Sequence, residues 1–149
     1  MRKVGVIPFD IKGENLAILF VTSQARGRWI LPKGNVKRDE KALDAGSREG
    51  FEEAGVRGVI LDEFPMTVPI GSKQSEKVEA TPVTYFPLYV QEQFDDWPER
   101  GKRERHWVLI EQAARIVHRE DFLEVLKRFE ALRPWVTEGA SQRKEALPK

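Results

Sequence analysis

Cysteine is absent from the 149 residues, which removes disulfides, thiolate metal sites and cysteine nucleophiles together. That absence suits a reducing compartment, and a cytoplasmic location is the expectation. Histidine is nearly absent too. His106 and His118 fall on different expected elements, which argues against a histidine metal centre or a histidine-based triad. No apolar run approaches the roughly 20 residues that cross a bilayer, and the opening MRKVGVIPFD reaches Asp10 before a signal core can form. No membrane partner is expected. Charge of one sign is also missing: 25 Lys and Arg against 24 Asp and Glu leave a net charge of +1. A dedicated nucleic-acid module is therefore not expected, and electrostatic work must come from local clusters. What is present suits one domain, since a chain of this length buries roughly two thirds of its unfolded surface.

Two runs rich in Val, Ile, Leu and Phe, Val4–Ile11 and Leu16–Thr22, flank Lys12-Gly13-Glu14-Asn15 and read as a hairpin. Gln24 to Gly34 reads as a basic loop around the insert Trp29-Ile30-Leu31. A helix is expected from Asp39 to Ala54, stopped by Gly55. Val56–Leu61, Met66–Ile70, Pro82–Gln91 and His106–Ile110 read as strands, and Pro87 places the third of these at an edge or a bulge. Gly71 to Ala80, with Lys73 and Lys77, reads as a polar surface loop. Glu111–Val117 and Asp121–Leu132 read as helices, the second with Phe122, Val125, Leu126 and Phe129 at i, i+3, i+4, i+7. Strands interrupted by helices without regular alternation predict an α/β (α+β) domain with a mixed sheet flanked by helices, over 1–135. The polar stretch 136–149 is expected to fray.

The chemistry concentrates between Gly34 and Val56. In a helix, Glu49, Glu52 and Glu53 share one face, at i, i+3 and i+4. They repel one another, and the helix macrodipole disfavours anions at this C-terminal end. A divalent cation removes the conflict, and a cluster of hard oxygen ligands suits Mg2+ or Mn2+. Gly46 and Gly50 each cost about 1 kcal/mol against Ala inside a helix; close packing of the helix on a sheet is the expected compensation.

The same segment resembles the Nudix box, G-x5-E-x7-R-E-U-x-E-E-x-G-U with U a bulky apolar residue. Gly34, Glu40, Arg48, Glu49, Glu52, Glu53 and Gly55 occupy all seven fixed positions and Val56 fits the last U, whereas Gly50 stands at the first. The approach Arg28-Trp29-Ile30-Leu31-Pro32-Lys33 is similar to that of the family. The resemblance implies an α/β/α sandwich that hydrolyses a diphosphate bond with Mg2+ (Mn2+ possible). It also implies Glu49 and Glu53 as metal ligands, helped by a backbone carbonyl at Lys33 or Gly34. Glu52 would ligate a second ion or act as general base, and Arg48 would orient a glutamate. Glu40 and Gly55 would be structural.

Phe94-Asp95-Asp96-Trp97, the stretch Gly101 to Trp107, and Ile110-Glu111-Gln112-Ala113-Ala114 resemble the diphosphoinositol polyphosphate phosphohydrolase branch, whose members also cleave diadenosine polyphosphates. The branch implies a small polyphosphate as the partner, with the protein a monomer or homodimer. Lys33-Gly34-Asn35 and His106 depart from its pattern. Lys3, Arg26, Arg28, Arg103 and Arg105 are the candidate substrate-binding cations, and two basic loops converging on the metal would form a cationic funnel. A nucleoside triphosphate or RNA 5′-end pyrophosphohydrolase is the alternative within the same fold. A non-catalytic nucleotide-sensing domain is the alternative from another class.

Overall fold

The structure is a computed structural model that describes residues 2–74 and 77–146, with the side chains of 72–79 and 145–146 outside the description. In chain order the elements are β1 (Lys3–Lys12), β2 (Asn15–Thr22), β3 (Trp29–Ile30), β4 (Lys33–Asn35), α1 (Ala42–Ala54) and β5 (Val56–Ile60). They continue with β6 (Met66–Gln74), β7 (Lys77–Gln93), β8 (Arg105–Leu109), α2 (Ile110–Ala113), α3 (Glu120–Ala131) and α4 (Arg133–Ala146).

The strands join in one mixed sheet with the order β3-β2-β1-β7-β5, to which β4 adds on β1, β6 on β7 and β8 on β2. Among the described residues only β1 and β7 run parallel, and every other pairing is antiparallel. The hairpin expected from Lys12-Gly13-Glu14-Asn15 forms, with Lys12 opposite Asn15. Alternation along β1 and β7 sends side chains to two faces. Gly46 and Gly50 press α1 onto one of them: a Cβ at Gly46 would lie 3.1 Å from Val6, and one at Gly50 3.1 Å from Leu88. The missing bulk at the first U position is thus the reason the helix sits so close to the sheet. On the other face α3 packs Phe129 against Phe9 and Phe122 against Tyr85, ring centroids 5.6 and 6.4 Å apart. Phe122, Val125 and Phe129 are fully buried, each contributing roughly 1.5–3 kcal/mol of transfer free energy.

Four expectations are corrected. The acidic helix begins at Ala42, not at Asp39, whose backbone is left-handed with φ 67°. Pro87 lies at neither an edge nor a bulge. It sits where β7 changes partners, between the β6 pairing that ends at Tyr85 and the β5 pairing that starts at Leu88. There a missing N–H costs nothing, while its carbonyl accepts from Leu61 N at 2.9 Å. The expected loop from Gly71 to Ala80 is strand up to Gln74 and again from Lys77, and its tip at 75–76 lies outside the described residues. The stretch from Val136 onward does not fray as far as Ala146. It forms α4, which buries Val136 and Ala140 and brings Gly139 to Leu61.

Candidate active site

Helix α1 ends at Gly55, which takes the left-handed conformation (φ 68°, ψ 37°) and donates its N–H to Phe51 O. No basic residue stands in its last turn, and the free carbonyls there need partners. The segment from Phe94 to Arg105 supplies all of them. Glu99 N donates to Glu52 O at 3.0 Å, Trp97 Nε1 to Glu53 O at 3.2 Å, Arg105 Nη1 to Ala54 O at 2.9 Å and Phe94 N to Gly55 O at 2.8 Å. The polar loop of the sequence is a socket for the end of the acidic helix.

The three helix carboxylates are brought together at this end, with Arg48 threaded among them. Its Nη1 donates to Glu49 at 2.7 Å and to Glu52 at 3.2 Å. Its Nε and Nη2 hold the two Glu40 oxygens at 2.9 and 3.0 Å, and Nη2 also donates to Asn35 O. Paired with Arg48 and with the Lys37 N–H, Glu40 has its pKa drawn down to about 2. Arg48 thereby ties the β4 loop to the helix by a fork that lysine cannot provide.

Glu49 and Glu53 are the only charged side chains in the described core. Glu53 is 5% exposed, and its Oε1 has no hydrogen-bond partner. Burial first, and then the adjoining Glu49, push its pKa well above the usual carboxylate range. Gly34 lies directly against Glu49: a Cβ there would stand 2.2 Å from Glu49 Oε1. Among the described residues no three acidic groups already form a closed metal cage, and Arg48 Nη1 bridges Glu49 and Glu52. The donor set nonetheless fits a hard cation. Two buried carboxylates are at hand, one with an orphaned oxygen and the other lying against the backbone of Gly34, whose carbonyl is a further hard donor. Lys33 is half-buried beside this pair; burial, and then the charge of Lys3, lower its pKa. Lys3 and Lys33 thus belong to one cationic neighbourhood.

The other predicted cations part company. Arg103 is 11% exposed, with Nη2 3.8 Å from Glu53 Oε1, so it does join the carboxylates. Arg105 is turned to the helix end: its Nη1 caps Ala54 O and its guanidinium lies over the Trp97 ring, 3.9 Å from the centroid. Arg26 and Arg28 are exposed in the turn after β2. Of the two arginines expected at the helix end, Arg103 thus faces the carboxylates and Arg105 the helix carbonyls. Sequence reasoning missed Glu99, Thr22 and the indole of Trp97 as parts of the site; the only local signal was the i, i+4 spacing of Glu99 and Arg103.

A family model described as "NUDIX domain" matches residues 1–129. Nudix hydrolase 12, mitochondrial, of Arabidopsis thaliana is 39% identical over 119 residues, covering 76% of this chain and 58% of the relative. The chain thus spans a little over half the length of that plant protein. Diphosphoinositol polyphosphate phosphohydrolase 3-alpha of Mus musculus is 30% identical over 134 residues, covering 85% of this chain and 77% of the relative. A crystal structure of the C. elegans Ap4A hydrolase shares the fold with a TM-score of 0.67 at 21% identity, covering 88% of this chain and 96% of that one.

Proposed function

The chain belongs to the Nudix family, and from that premise we propose that it is a Mg2+-dependent pyrophosphohydrolase that cleaves a P–O–P bond in a multiply phosphorylated small molecule. Diphosphoinositol polyphosphates and diadenosine polyphosphates are the favoured substrates. The carrying observation is the buried Glu49–Glu53 pair, with one Glu53 oxygen unpartnered and Glu49 lying against the Gly34 backbone. Such an arrangement is costly for folding unless a cation completes it. Glu49, Glu53 and a carbonyl at Lys33 or Gly34 would hold Mg2+ or Mn2+, which when bound neutralises charge on the phosphoryl oxygens. Glu52 is the more exposed carboxylate of the three and can ligate a second ion or take the proton of the attacking water. Arg48 fixes Glu49 and Glu52, and Arg103 carries positive charge to the Glu53 side. Lys3, Lys33, Arg26 and Arg28 supply the remaining cations for an anionic substrate.

The mouse relative's name supports the inositol substrate, and the cysteine-free composition suits the cytoplasmic location that forms part of this reading. The test is Mg2+-dependent phosphate or nucleotide release, with Glu53→Gln as the blank. The panel holds a diphosphoinositol polyphosphate, diadenosine tetra- and pentaphosphate, the nucleoside triphosphates, ADP-ribose and a 5′-triphosphorylated RNA. Preference for the first two classes is the expected result. Preference for a triphosphate or RNA would keep the reaction and replace the substrate. Tight binding of one member without turnover would make the domain a sensor.

A further inference from the structure

Arg103 has an unusual distribution of its donors. Nε donates to Glu99 Oε1 at 2.8 Å and Nη1 to Thr22 O at 2.9 Å. Nη2 is committed to neither and stands 3.8 Å from the orphaned Glu53 Oε1, too far for a hydrogen bond. Two of three nitrogens are thus spent on the scaffold, and the third is presented to the carboxylates. A planar guanidinium held at two points keeps its third point fixed.

Glu99 is the hub of this arrangement. The same oxygen that accepts from Arg103 also accepts from Gln24 Nε2 at 3.1 Å, on the turn that follows β2. Its backbone N–H caps Glu52 O, and its carbonyl accepts from Lys102 N and Arg103 N. The helix-capping work of residue 99 is done wholly by its backbone, so capping does not explain the carboxylate. What the carboxylate does is accept from Arg103 and from Gln24, joining the Arg103 guanidinium to the turn after β2.

We propose that Glu99 is a positioning residue for the hydrolytic site, holding Arg103 so that Nη2 meets the phosphoryl group that Glu49 and Glu53 address. This rests on the proposed hydrolytic function for its substrate, but the geometry of Arg103 stands without it. The group is a charge-assisted anchor for a second charged group, and a misplacement of about 1 Å at such a point costs on the order of 100-fold in rate.

The experiment has a kinetic arm and a spectroscopic arm. In the kinetic arm, Glu99→Ala lowers kcat by roughly 10- to 100-fold, with KM moving less than about 3-fold. Glu99→Gln, which keeps an acceptor oxygen, recovers most of the loss. In an Arg103→Ala background, Glu99→Ala costs less than about 2-fold more, because the residue it positions is gone. An equal loss in both backgrounds, or a lowered Tm with unchanged kcat, would overturn the proposal. In the spectroscopic arm, the Arg103 Nε–H resonance of the full chain is slow to exchange in the unmodified protein and lost in Glu99→Ala. A resonance unaffected by Glu99→Ala would overturn it equally. The second arm needs no substrate. A chain inactive on the whole panel would sink the hydrolytic function and still leave the positioning claim decided by this signal.

Discussion

Glu40 and Glu53 are the same side chain within one motif, yet the fold treats them in opposite ways. Glu40 meets both arms of the Arg48 fork and the Lys37 N–H, and its carboxyl is held ionised down to about pH 2. Glu53 is walled off from water with one oxygen unpartnered, and its carboxyl resists ionisation. The difference teaches how a fold marks a candidate reactive group: the satisfied glutamate holds the loop, and the frustrated one is left with an oxygen that a ligand can complete.

The largest break in this comparison is Glu53→Gln. Turnover falls by about 10³-fold, as for loss of a preorganised electrostatic group, while the melting curve stays cooperative; wild-type turnover would refute the metal-site assignment. Next comes Arg48→Ala, which releases Glu40, Glu49 and Glu52 together. Denaturant titration should show a loss of about 2 kcal/mol, since these are hydrogen bonds to charged groups, and activity should fall with it.

The contrast in protonation gives a subtler test in chelator-treated protein. Glu53 has a folded pKa above its unfolded value, so the native state holds the extra proton. Its stabilising contribution is complete below the ordinary carboxylate value of 4.5 and is lost as pH rises through the raised value. For Glu40 the sign reverses: its contribution is present above the unfolded pKa and is lost as pH falls through about 2. Tm followed from pH 5 to 9 should therefore decline less in Glu53→Gln than in the wild type, and Mg2+ should raise Tm most at the alkaline end. An identical decline in the two proteins would place the titrating group elsewhere.

The smallest effect belongs to Arg105→Ala, which removes one cap from the Glu53 end of the helix. Stability drops by about 1 kcal/mol with KM unchanged. A raised KM for polyphosphates would return Arg105 to the substrate site.

Much of the site was legible because its geometry is local. The spacing of Glu49, Glu52 and Glu53 fixes one helix face whatever surrounds it, and the price of Gly46 and Gly50 inside a helix demanded the close sheet contact that Val6 and Leu88 provide. What could not be read depends on partners distant in sequence. Arg105 looks like a free cation until Ala54 and Trp97 are seen beside it. Pro87 looks like an edge residue because a sequence does not show a strand changing neighbours. The α4 helix was hidden for another reason: among the described residues its buried stripe is Val136, Gly139 and Ala140, too small to stand out among polar residues. Asp39 moved the helix start because one left-handed residue interrupts an otherwise helical pattern.

The socket formed by Phe94, Trp97, Glu99 and Arg105 makes the end of α1 and the following loop a single cooperative unit. The amide protons of Glu99 and Phe94 are donated to helix carbonyls, so neither can exchange with solvent until the helix end lets go. In hydrogen-exchange terms the loop borrows its protection from the helix that bears the carboxylates. Any ligand that draws Glu53 tighter should therefore slow exchange at positions 94 and 99, far along the chain from the residue it touches.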